Sequence, residues 1–296
     1  MADHQIGVVT VTYNSANVLD GFFNSLTAQI FNNFVLYVVD NASSDTTLNS
    51  CRSANGIDIR LIENSINVGV AAANNQGVSA AISDGCTHIL LLNNDTEFPA
   101  ELFGELLSAS ERMNTGLVAP KIHYYEPTDL LWYAGGEFTT RYCYSSEHIG
   151  LDQFDTGQFD NERYVTYAPT CCLLVAADIF HDIGNMDETY FCYWDDADFC
   201  MRAMRNGYKI GYTPKYAVRH KVSSLSGGSE SNFYLYYFTR NRVYFLRKHL
   251  PIVSQVYFGA AYIVRIFASV LVGKNDYGRF KLRLRAYFDG WKLRKT

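Results

Sequence analysis

The sequence predicts an α/β fold with a mainly parallel, Rossmann-like sheet flanked by helices, and two observations carry this prediction. Three uninterrupted apolar runs have the length and β-branched composition of strands buried on both faces: Ile6–Thr12, Phe34–Val39 and His88–Leu92. Each run is followed by a polar turn and then by a segment that can form a helix. Strands and helices that alternate in this way form βαβ units, whose neighbouring strands are parallel.

The other elements of the first half follow the same pattern. Val18 to Ile30 places its apolar residues on one helical face, and Ile59–Glu63 is predicted to be a third strand. Residues 64–77 open a helix of small residues, which allows the backbone to approach the sheet or a ligand closely. A further helix is predicted from about Pro99 to Asn114. We therefore expect residues 1–115 to form the regular, parallel half of the sheet.

The regular alternation ends near residue 115. The following elements are predicted after it: irregular strands or hairpins at Gly116–Ile122, Trp132–Gly136 and Tyr164–Ala176, a helix from about Ala197 to Asn206 capped by Gly207, and strands at Tyr208–Thr213 and Tyr216–His220. The polar stretch Lys221–Gly228 is predicted to be a flexible loop. We expect residues 116–250 to form the second half of one domain that spans residues 1–250.

The C-terminal part has a different composition and is predicted to be a helical extension over residues 251–296. Ile252 to Val272 is nearly all apolar, but a central Arg265 is costly in hydrocarbon, so we expect this helix to lie in the membrane interface or to pack on the domain. Residues 279–296 contain seven Lys and Arg interleaved with aromatic residues. A basic amphipathic helix of this kind suits an anionic membrane surface; an ordinary solvated face or a homodimer contact is the alternative.

Charge and cysteine content exclude several classes of protein. The formal net charge of −5 gives no reason to expect a nucleic-acid partner. Seven cysteines without a CxxC pair argue against a disulfide framework and against a structural zinc site. The chain runs from Met1 almost directly into a strand, so no secretory leader is predicted. We expect a cytoplasmic protein that is peripheral on the inner face of the cell membrane.

Polar clusters follow the predicted parallel strands at their carboxyl ends, which meet at one edge of a sheet and commonly bind ligands there. The clusters are Thr12, Tyr13 and Asn14; Asp40; Asn67 to Gly69; and Asn93, Asn94 and Asp95. Neither a GxGxxG fingerprint nor a phosphate loop is present, so phosphates must be held in another way. A divalent cation on Asp95 would bind a diphosphate; alternatively, Asp95 caps the helix near Pro99.

A second cluster joins four aromatic residues within 190–194 to acidic residues at the start of a predicted helix. Asp195 and Asp196 are favoured there by the helix dipole, yet carboxylates in an aromatic setting also acquire raised pKa values and become better general bases. His220, at a predicted strand end, is either structural or a metal partner for Asp95. Further candidates are Trp132 and Tyr133 for stacking on a sugar, and Arg240 or Arg242 for contacting a phosphate.

Taken together, these segments resemble the inverting family 2 glycosyltransferases of GT-A fold, especially the bacterial subgroup that contains rhamnosyltransferases. The resemblance covers residues 6 to 248 and rests on six motifs in order: Val11–Asn14, Val39–Asp45, Asn67–Gly69, Leu91–Asp95, Tyr193–Arg202 and Val218–His220.

The resemblance implies a role for each matched residue. Residues 1–115 would form the nucleotide-binding half of the domain, and residues 116–250 the acceptor-binding and catalytic half. Thr12, Tyr13 and Asp40 would line the base and ribose pocket, and Asn14 would also bind the donor. Asn67 and Gly69 would lie near the nucleotide, and Asn93 and Asn94 would face the ribose and sugar. Asp95 and His220 would bind Mn²⁺ or Mg²⁺, Asp196 would be the catalytic base, and Trp194 with Asp195 would contact the acceptor or sugar. Two positions depart from the family pattern: Asn93 replaces Asp, which is expected to weaken metal binding until the donor diphosphate completes the shell, and Asp195 replaces Glu.

The resemblance further implies a nucleoside-diphosphate sugar as donor and a glycan or lipid-linked acceptor. The preferred donor is dTDP-rhamnose, with UDP-hexoses next. Two other interpretations stay open: a sugar nucleotidyltransferase, which would normally carry an N-terminal Gly-rich segment absent here, and a catalytically silent homologue that binds nucleotide sugars or organises an assembly complex.

Overall fold

The computed structural model describes residues 4–141, 144–222, 231–271 and 276–294. Its strands are β1 (Ile6–Thr12), β2 (Phe34–Asp40), β3 (Ile59–Glu63), β4 (His88–Leu92), β5 (Thr96–Glu97), β6 (Leu117–Tyr124), β7 (Leu131–Tyr133), β8 (Gly136–Thr139), β9 (Ser145–His148), β10 (Arg163–Val165), β11 (Cys172–Ala176) and β12 (Ile210–His220). Its α-helices are α1 (Leu19–Thr27), α2 (Thr47–Ser53), α3 (Val70–Ser83), α4 (Leu102–Arg112), α5 (Ala177–Ile183), α6 (Asp195–Arg205), α7 (Asn232–His249), α8 (Ile252–Leu271) and α9 (Tyr277–Lys292).

The first half forms the parallel part of a ten-stranded sheet. Strands β4, β1, β2 and β3 lie side by side in that order and are parallel, which confirms the predicted α/β class. The register pairs Thr12 with Asp40, so the polar residues at the two strand ends meet at one edge. Helix α3 lies close to the sheet because Gly77 has no side chain: a Cβ there would be 2.5 Å from Val9 Cγ1.

The second half extends the sheet with mixed strands. Strand β11 is antiparallel to both β4 and β6, and β12 is parallel to β6. The prediction of two strands between residues 208 and 220 is wrong. One strand, β12, runs through this region, and its register against β6 shifts between Thr213 and Val218. Pro214, which cannot donate a hydrogen bond to a neighbouring strand, lies in the shifted part.

A short strand follows Asp95 directly. Strand β5 pairs antiparallel with the end of β12, which places Thr96 opposite His220. Asp95 therefore precedes a strand, and helix α4 begins later, with Glu101 at its N-cap position. The alternative interpretation of Asp95 as a helix cap is wrong.

The C-terminal helices pack on the domain through α7. Val243 of α7, Tyr262 and Ile266 of α8, and Tyr287 of α9 form a small hydrophobic core. Among the described residues, α8 is the one helix that is long and apolar enough to cross a membrane by length and composition. Most of the predicted loop after His220 lies outside the described residues.

All six cysteines that the structure describes are buried and none forms a disulfide. This agrees, for the described part of the chain, with the predicted absence of a disulfide framework.

Candidate active site

The pairing of β5 with β12 brings Asp95 and His220 together. His220 Nε2 lies 3.2 Å from Asp95 Oδ1, and both side chains are more than nine-tenths buried. The backbone around Asp95 is held as well, because Lys221 N donates to the Asp95 carbonyl at 2.9 Å. The two residues predicted to bind a metal therefore share one site. No cluster of three or more His, Cys, Asp or Glu suited to a metal occurs within the described ranges.

The ends of β1 and β2 are joined by a network around Asp40. Thr12 Oγ1 donates to Asp40 Oδ1 at 2.8 Å, while Ser43 donates to the same carboxylate through its hydroxyl at 2.5 Å and its backbone N–H at 2.9 Å. Asn14 joins this network, because its N–H donates to Ser43 Oγ at 2.9 Å. Tyr13 points outward and is 46% exposed. The residues of these two strands that are predicted to bind the nucleotide-sugar donor thus lie together at the carboxyl edge of the sheet.

The other residues predicted to bind the nucleotide-sugar donor lie at the same edge of the sheet. Gly69, with φ of 91°, begins α3; its N–H donates to Asn67 Oδ1 at 3.0 Å, and its carbonyl accepts from Asn41 Nδ2 at 3.2 Å. Asn94 is 2% exposed and donates to Val11 O at 2.6 Å, so its amide ties β4 to β1. Asn93 is exposed, which leaves its side chain accessible to a ligand.

The acidic cluster begins helix α6. Tyr167 donates its hydroxyl to Asp196 Oδ2 at 2.6 Å, and Ala197 N donates to Asp196 Oδ1 at 2.7 Å. Burial raises the pKa of Asp196, although both of these hydrogen bonds stabilise its carboxylate and oppose that rise. Burial also raises the pKa of the neighbouring Asp195, and repulsion by Asp196 adds to that effect. The two adjacent carboxyl groups are therefore stronger bases than exposed ones.

Aromatic rings connect the Asp95–His220 pair with Asp196. Trp132 packs edge-on against His220, with ring centroids 4.7 Å apart, and against His148 at 4.5 Å. His148 in turn stacks on Tyr167 at 5.7 Å, and Tyr167 holds Asp196. Burial lowers the pKa of His148 to about 4, so its ring is neutral at physiological pH. The row of rings formed by His220, Trp132, His148 and Tyr167 therefore has the predicted metal ligands at one end and the predicted base at the other.

Several predicted ligand contacts require correction. Tyr133 is fully buried and donates to Tyr167 O at 3.0 Å, so it offers no surface to a sugar. Trp194 is only 4% exposed and packs on Phe245. Trp132 is half-buried and remains the more accessible ring.

The two arginines predicted to contact a phosphate bind the protein itself. Arg240 Nη2 donates to Thr189 O at 2.7 Å and to Tyr190 O at 2.9 Å. Arg242 is 4% exposed; it donates to Tyr144 O at 2.8 Å and lies over the Tyr262 ring. Because these contacts direct both guanidinium groups into the protein, neither is part of the site proposed below.

Asp198, the third acid of the cluster, is surrounded by basic side chains, which indicates a structural role. Although burial raises its pKa, the hydrogen bond from His249 at 2.6 Å and the charges of Arg202 and Lys248 lower that pKa well below the usual range. Asp198 is fully buried and links α6 to the end of α7.

Three residues of interest escaped the sequence analysis: His148, Tyr167 and Asn241. His148 ends the short strand β9 and Tyr167 lies in the loop between β10 and β11, so no periodic pattern connected them with the acids of α6. Asn241 lies between Arg240 and Arg242, and only these two arginines were predicted to contact a ligand. An Asn among the aromatic residues of a predicted helix is a signal that could have found it, because an amide that becomes buried must find hydrogen-bond partners.

Comparison with curated proteins finds relatives that are glycosyltransferases. A low-salt glycan biosynthesis hexosyltransferase, Agl10 of Haloferax volcanii, is 26% identical over 80% of this chain and 74% of its own length. The dTDP-rhamnosyl transferase RfbF of Shigella flexneri is 25% identical over 96% of this chain and 95% of its own. The N-acetylglucosaminyl-diphospho-decaprenol L-rhamnosyltransferase of Mycobacterium tuberculosis is 24% identical over 74% of this chain and 77% of its own.

Solved structures share the fold. S. aureus TarS in complex with UDP-GlcNAc superimposes with a TM-score of 0.62 at 16% identity and covers 97% of this chain and 80% of its own. GalNAc-T7 with UDP, GalNAc and Mn²⁺ gives 0.62 at 14% identity and covers 82% of this chain and 50% of its own.

The family assignment rests on the central part of the chain. Residues 7–184, more than half of the 296, match the sequence model of Glycosyl transferase family 2. This range contains the Asp40 network, the Gly69 turn and Asp95. It confirms the resemblance drawn from the motifs. The chain is therefore a glycosyltransferase of family 2 with the GT-A fold.

Proposed function

We propose that this enzyme transfers a sugar from a nucleoside-diphosphate donor to a hydroxyl of a growing cell-surface glycan or lipid-linked acceptor, with inversion at the anomeric carbon. The observation that carries the proposal is the row of rings from His220 to Tyr167, which joins the Asp95–His220 pair to Asp196. One end of this row has ligands for a metal-bound diphosphate, and the other end has a base.

Asp196 is the proposed general base. It would remove the proton from the acceptor hydroxyl while that oxygen attacks the anomeric carbon from the side opposite the leaving diphosphate, so the configuration inverts. The raised pKa makes its carboxylate a better proton acceptor, and Tyr167 fixes the direction of its Oδ2. Asp195 is buried beside it, and burial together with repulsion by Asp196 raises the pKa of Asp195 as well.

Asp95 and His220 would hold a divalent cation, Mn²⁺ or Mg²⁺. Both side chains are buried and face each other, and His220 Nδ1 has no hydrogen-bond partner among the described residues. A carboxylate oxygen and an imidazole nitrogen suit Mn²⁺, and the GalNAc-T7 structure contains this ion. Two protein ligands leave positions for the donor diphosphate. When bound, the cation neutralises charge that develops on the leaving phosphate.

The preferred donor is dTDP-rhamnose. RfbF, which is similar over nearly the whole chain, is a dTDP-rhamnosyl transferase, and the Mycobacterium tuberculosis relative transfers L-rhamnose to a diphospho-decaprenol-linked sugar. A UDP-hexose is the second candidate, because Agl10 is a hexosyltransferase and TarS binds UDP-GlcNAc. The same relatives support a lipid-linked or glycan acceptor.

Helix α8 is the proposed membrane contact, which would keep the enzyme at the inner face of the cell membrane. Its outward apolar side chains are at least half exposed: Ile252, Val253, Val256, Tyr257, Val264, Phe267 and Leu271. At 3.6 residues per turn they span about 140° of the helix circumference, so they form a single face. The opposite side of α8 packs on α7 and α9 through Tyr262 and Ile266.

Basic side chains of α9 would complete this contact. Lys281 and Arg285 are exposed, and the Arg285 side chain retains 75% of its accessible surface. Anionic lipid headgroups attract such charges, while the apolar face of α8 would enter the headgroup boundary. The packing of α8 on two other helices and the presence of Arg265 favour an orientation in the membrane plane over a spanning one.

Replacing the proposed base should abolish turnover without loss of donor binding. We expect Asp196→Asn to lower kcat by about 100- to 10,000-fold, the range typical of a lost general base, because the amide cannot accept the proton. Donor-dependent thermal stabilisation should be retained. Transfer at a near-normal rate by a folded, donor-binding variant would contradict the assignment.

Removing the hydroxyl of Tyr167 should change the pH profile. The base acts as a carboxylate, so activity falls as the pH drops through the pKa of the Asp195–Asp196 pair. Tyr167→Phe removes a hydrogen bond that lowers this pKa, and the acid limb of kcat/KM should move about one unit to higher pH. The matched control is Tyr208→Phe, whose hydroxyl contacts Asp182 away from the site. If the acid limb of kcat/KM lies at the same pH in Tyr167→Phe and Tyr208→Phe, the hydrogen bond from Tyr167 to Asp196 does not influence the base.

A panel of nucleotide sugars, each with and without Mn²⁺ or Mg²⁺, should identify the donor. We expect dTDP-rhamnose with metal to raise the unfolding temperature most and to support transfer. His220→Ala should require more metal for the same effect, while His181→Ala on the exposed surface of α5 should not. If a nucleotide sugar raises the unfolding temperature but is neither hydrolysed nor transferred, the protein would instead be a catalytically silent homologue that binds nucleotide sugars.

Vesicle co-sedimentation tests the membrane contact. The full chain should bind phosphatidylglycerol-containing vesicles more strongly than neutral ones, and added salt should weaken binding. Val256→Asp should abolish binding, and the pair Lys281→Glu and Arg285→Glu should weaken it at least about tenfold. Ile30→Asp, an exposed apolar position in the nucleotide-binding half, is the control. Binding that survives Val256→Asp would exclude α8 as the contact.

A further inference from the structure

The segment that precedes the proposed base is strained. Phe191, Tyr193 and Trp194 all have positive φ values, of 63°, 62° and 71°. Positive φ is costly for bulky residues. Cys192 N donates to Tyr190 O at 2.7 Å, so the backbone forms a tight three-residue γ-turn at Phe191, a turn that is strained in this left-handed form. Such a conformation persists only if surrounding contacts hold it.

Asn241 of α7 supplies these contacts. Its side chain is fully buried, and Nδ2 lies within hydrogen-bond distance of three carbonyl oxygens of the segment, which share its two N–H groups: Tyr190 at 2.7 Å, Cys192 at 2.6 Å and Tyr193 at 2.9 Å. One amide group therefore binds both sides of the γ-turn and the residue next to Trp194.

Arg240 fixes the orientation of that amide. Its Nε donates to Asn241 Oδ1 at 2.8 Å, which directs Nδ2 toward the segment. Its Nη2 donates to the carbonyls of Thr189 and Tyr190, just before the turn. The two neighbouring side chains of α7 thus form a clamp, which we define as Arg240 and Asn241, on residues 189–193.

The clamped segment connects the two halves of the proposed site. On one side, Phe191 O accepts from Val70 N at 2.5 Å, and a Cβ at Gly69 would lie 2.6 Å from that oxygen. On the other side, Trp194 leads directly into Asp195 and Asp196. Movement of the segment would shift the base relative to the turn at Gly69.

The geometry points to Asn241 as a positioning residue for Asp196: with Arg240, it holds the strained segment that aims the base. This inference rests on the proposed function. It differs from the role of the Asp198 contacts with Lys248 and His249, which fasten the body of α6 to α7 and are independent of Asn241. Because a displacement of about 1 Å can cost about 100-fold in rate, loss of the clamp should lower turnover.

The test compares Asn241→Leu with Thr239→Val in the full-length enzyme. Thr239 is also buried on α7, but its hydroxyl contacts Tyr262 of α8 at 3.1 Å. Both variants remove a buried polar group from the same helix, but Thr239→Val leaves the contacts to residues 190–193 in place. We expect Asn241→Leu to lower kcat about 10- to 100-fold while the donor KM changes less than about threefold, and Thr239→Val to retain the wild-type kcat. Folded fraction is measured by the unfolding temperature of each variant.

The outcomes separate this inference from the proposed function. If Asp196→Asn is inactive but Asn241→Leu and Thr239→Val have the same kcat, the positioning role is wrong. If Asp196→Asn retains transfer, the base assignment fails and the positioning role fails with it. If Asn241→Leu does not fold, Arg240→Lys, which keeps the charge but cannot reach Thr189, Tyr190 and Asn241 together, must lower kcat more than Thr239→Val does.

Discussion

The pairing of the two-residue strand β5 with the end of β12 is the constraint on which the site depends. It brings Asp95 and His220 within 3.2 Å in a buried position, although they belong to different halves of the domain. A carboxylate and an imidazole are costly to bury separately, so their mutual contact offsets part of the cost of burying them. Trp132 then packs on His220 and extends the site toward α6.

Helix α6 shows how the surroundings assign different roles to similar side chains. Asp196 and Asp198 are two residues apart and both are largely removed from solvent, yet their pKa values shift in opposite directions. Asp198 faces His249, Arg202 and Lys248, which stabilise its charge, whereas Asp196 receives hydrogen bonds from two neutral groups, the Tyr167 hydroxyl and the Ala197 backbone N–H. One carboxylate anchors the helix, and the other is suited to accept a proton.

Helix α7 connects the segment before the proposed base with the C-terminal helices α8 and α9. One side carries the clamp, and the clamp residue Arg240 also lies against α9, where a Cβ at Gly290 would be 2.4 Å from its carbonyl oxygen. Val243 joins the small core with α8 and α9. The proposed membrane-facing helices are thus attached to the same element that holds the segment before Asp196, which would keep the site at a defined position relative to a lipid-linked acceptor.

The sequence by itself determined the α/β class, the strands β1, β3 and β4 to the residue, the polar edge and the two acids at the start of α6. These features are local, because a run of consecutive residues determines both the burial of a strand on two faces and the turn at its end. Six ordered motifs also sufficed for the family, which the match over residues 7–184 confirmed.

Only the tertiary structure decided what the remaining side chains contact. Arg240 and Arg242 were expected to contact phosphate because charge is visible in a sequence, but their partners are backbone carbonyls and rings of distant segments. Tyr133 and Trp132 are neighbours in an irregular strand, and packing buries one and leaves the other partly accessible. Tyr167 and Asn241 acquire their significance from hydrogen bonds to residues 29 to 51 positions away, and no local periodicity encodes such contacts.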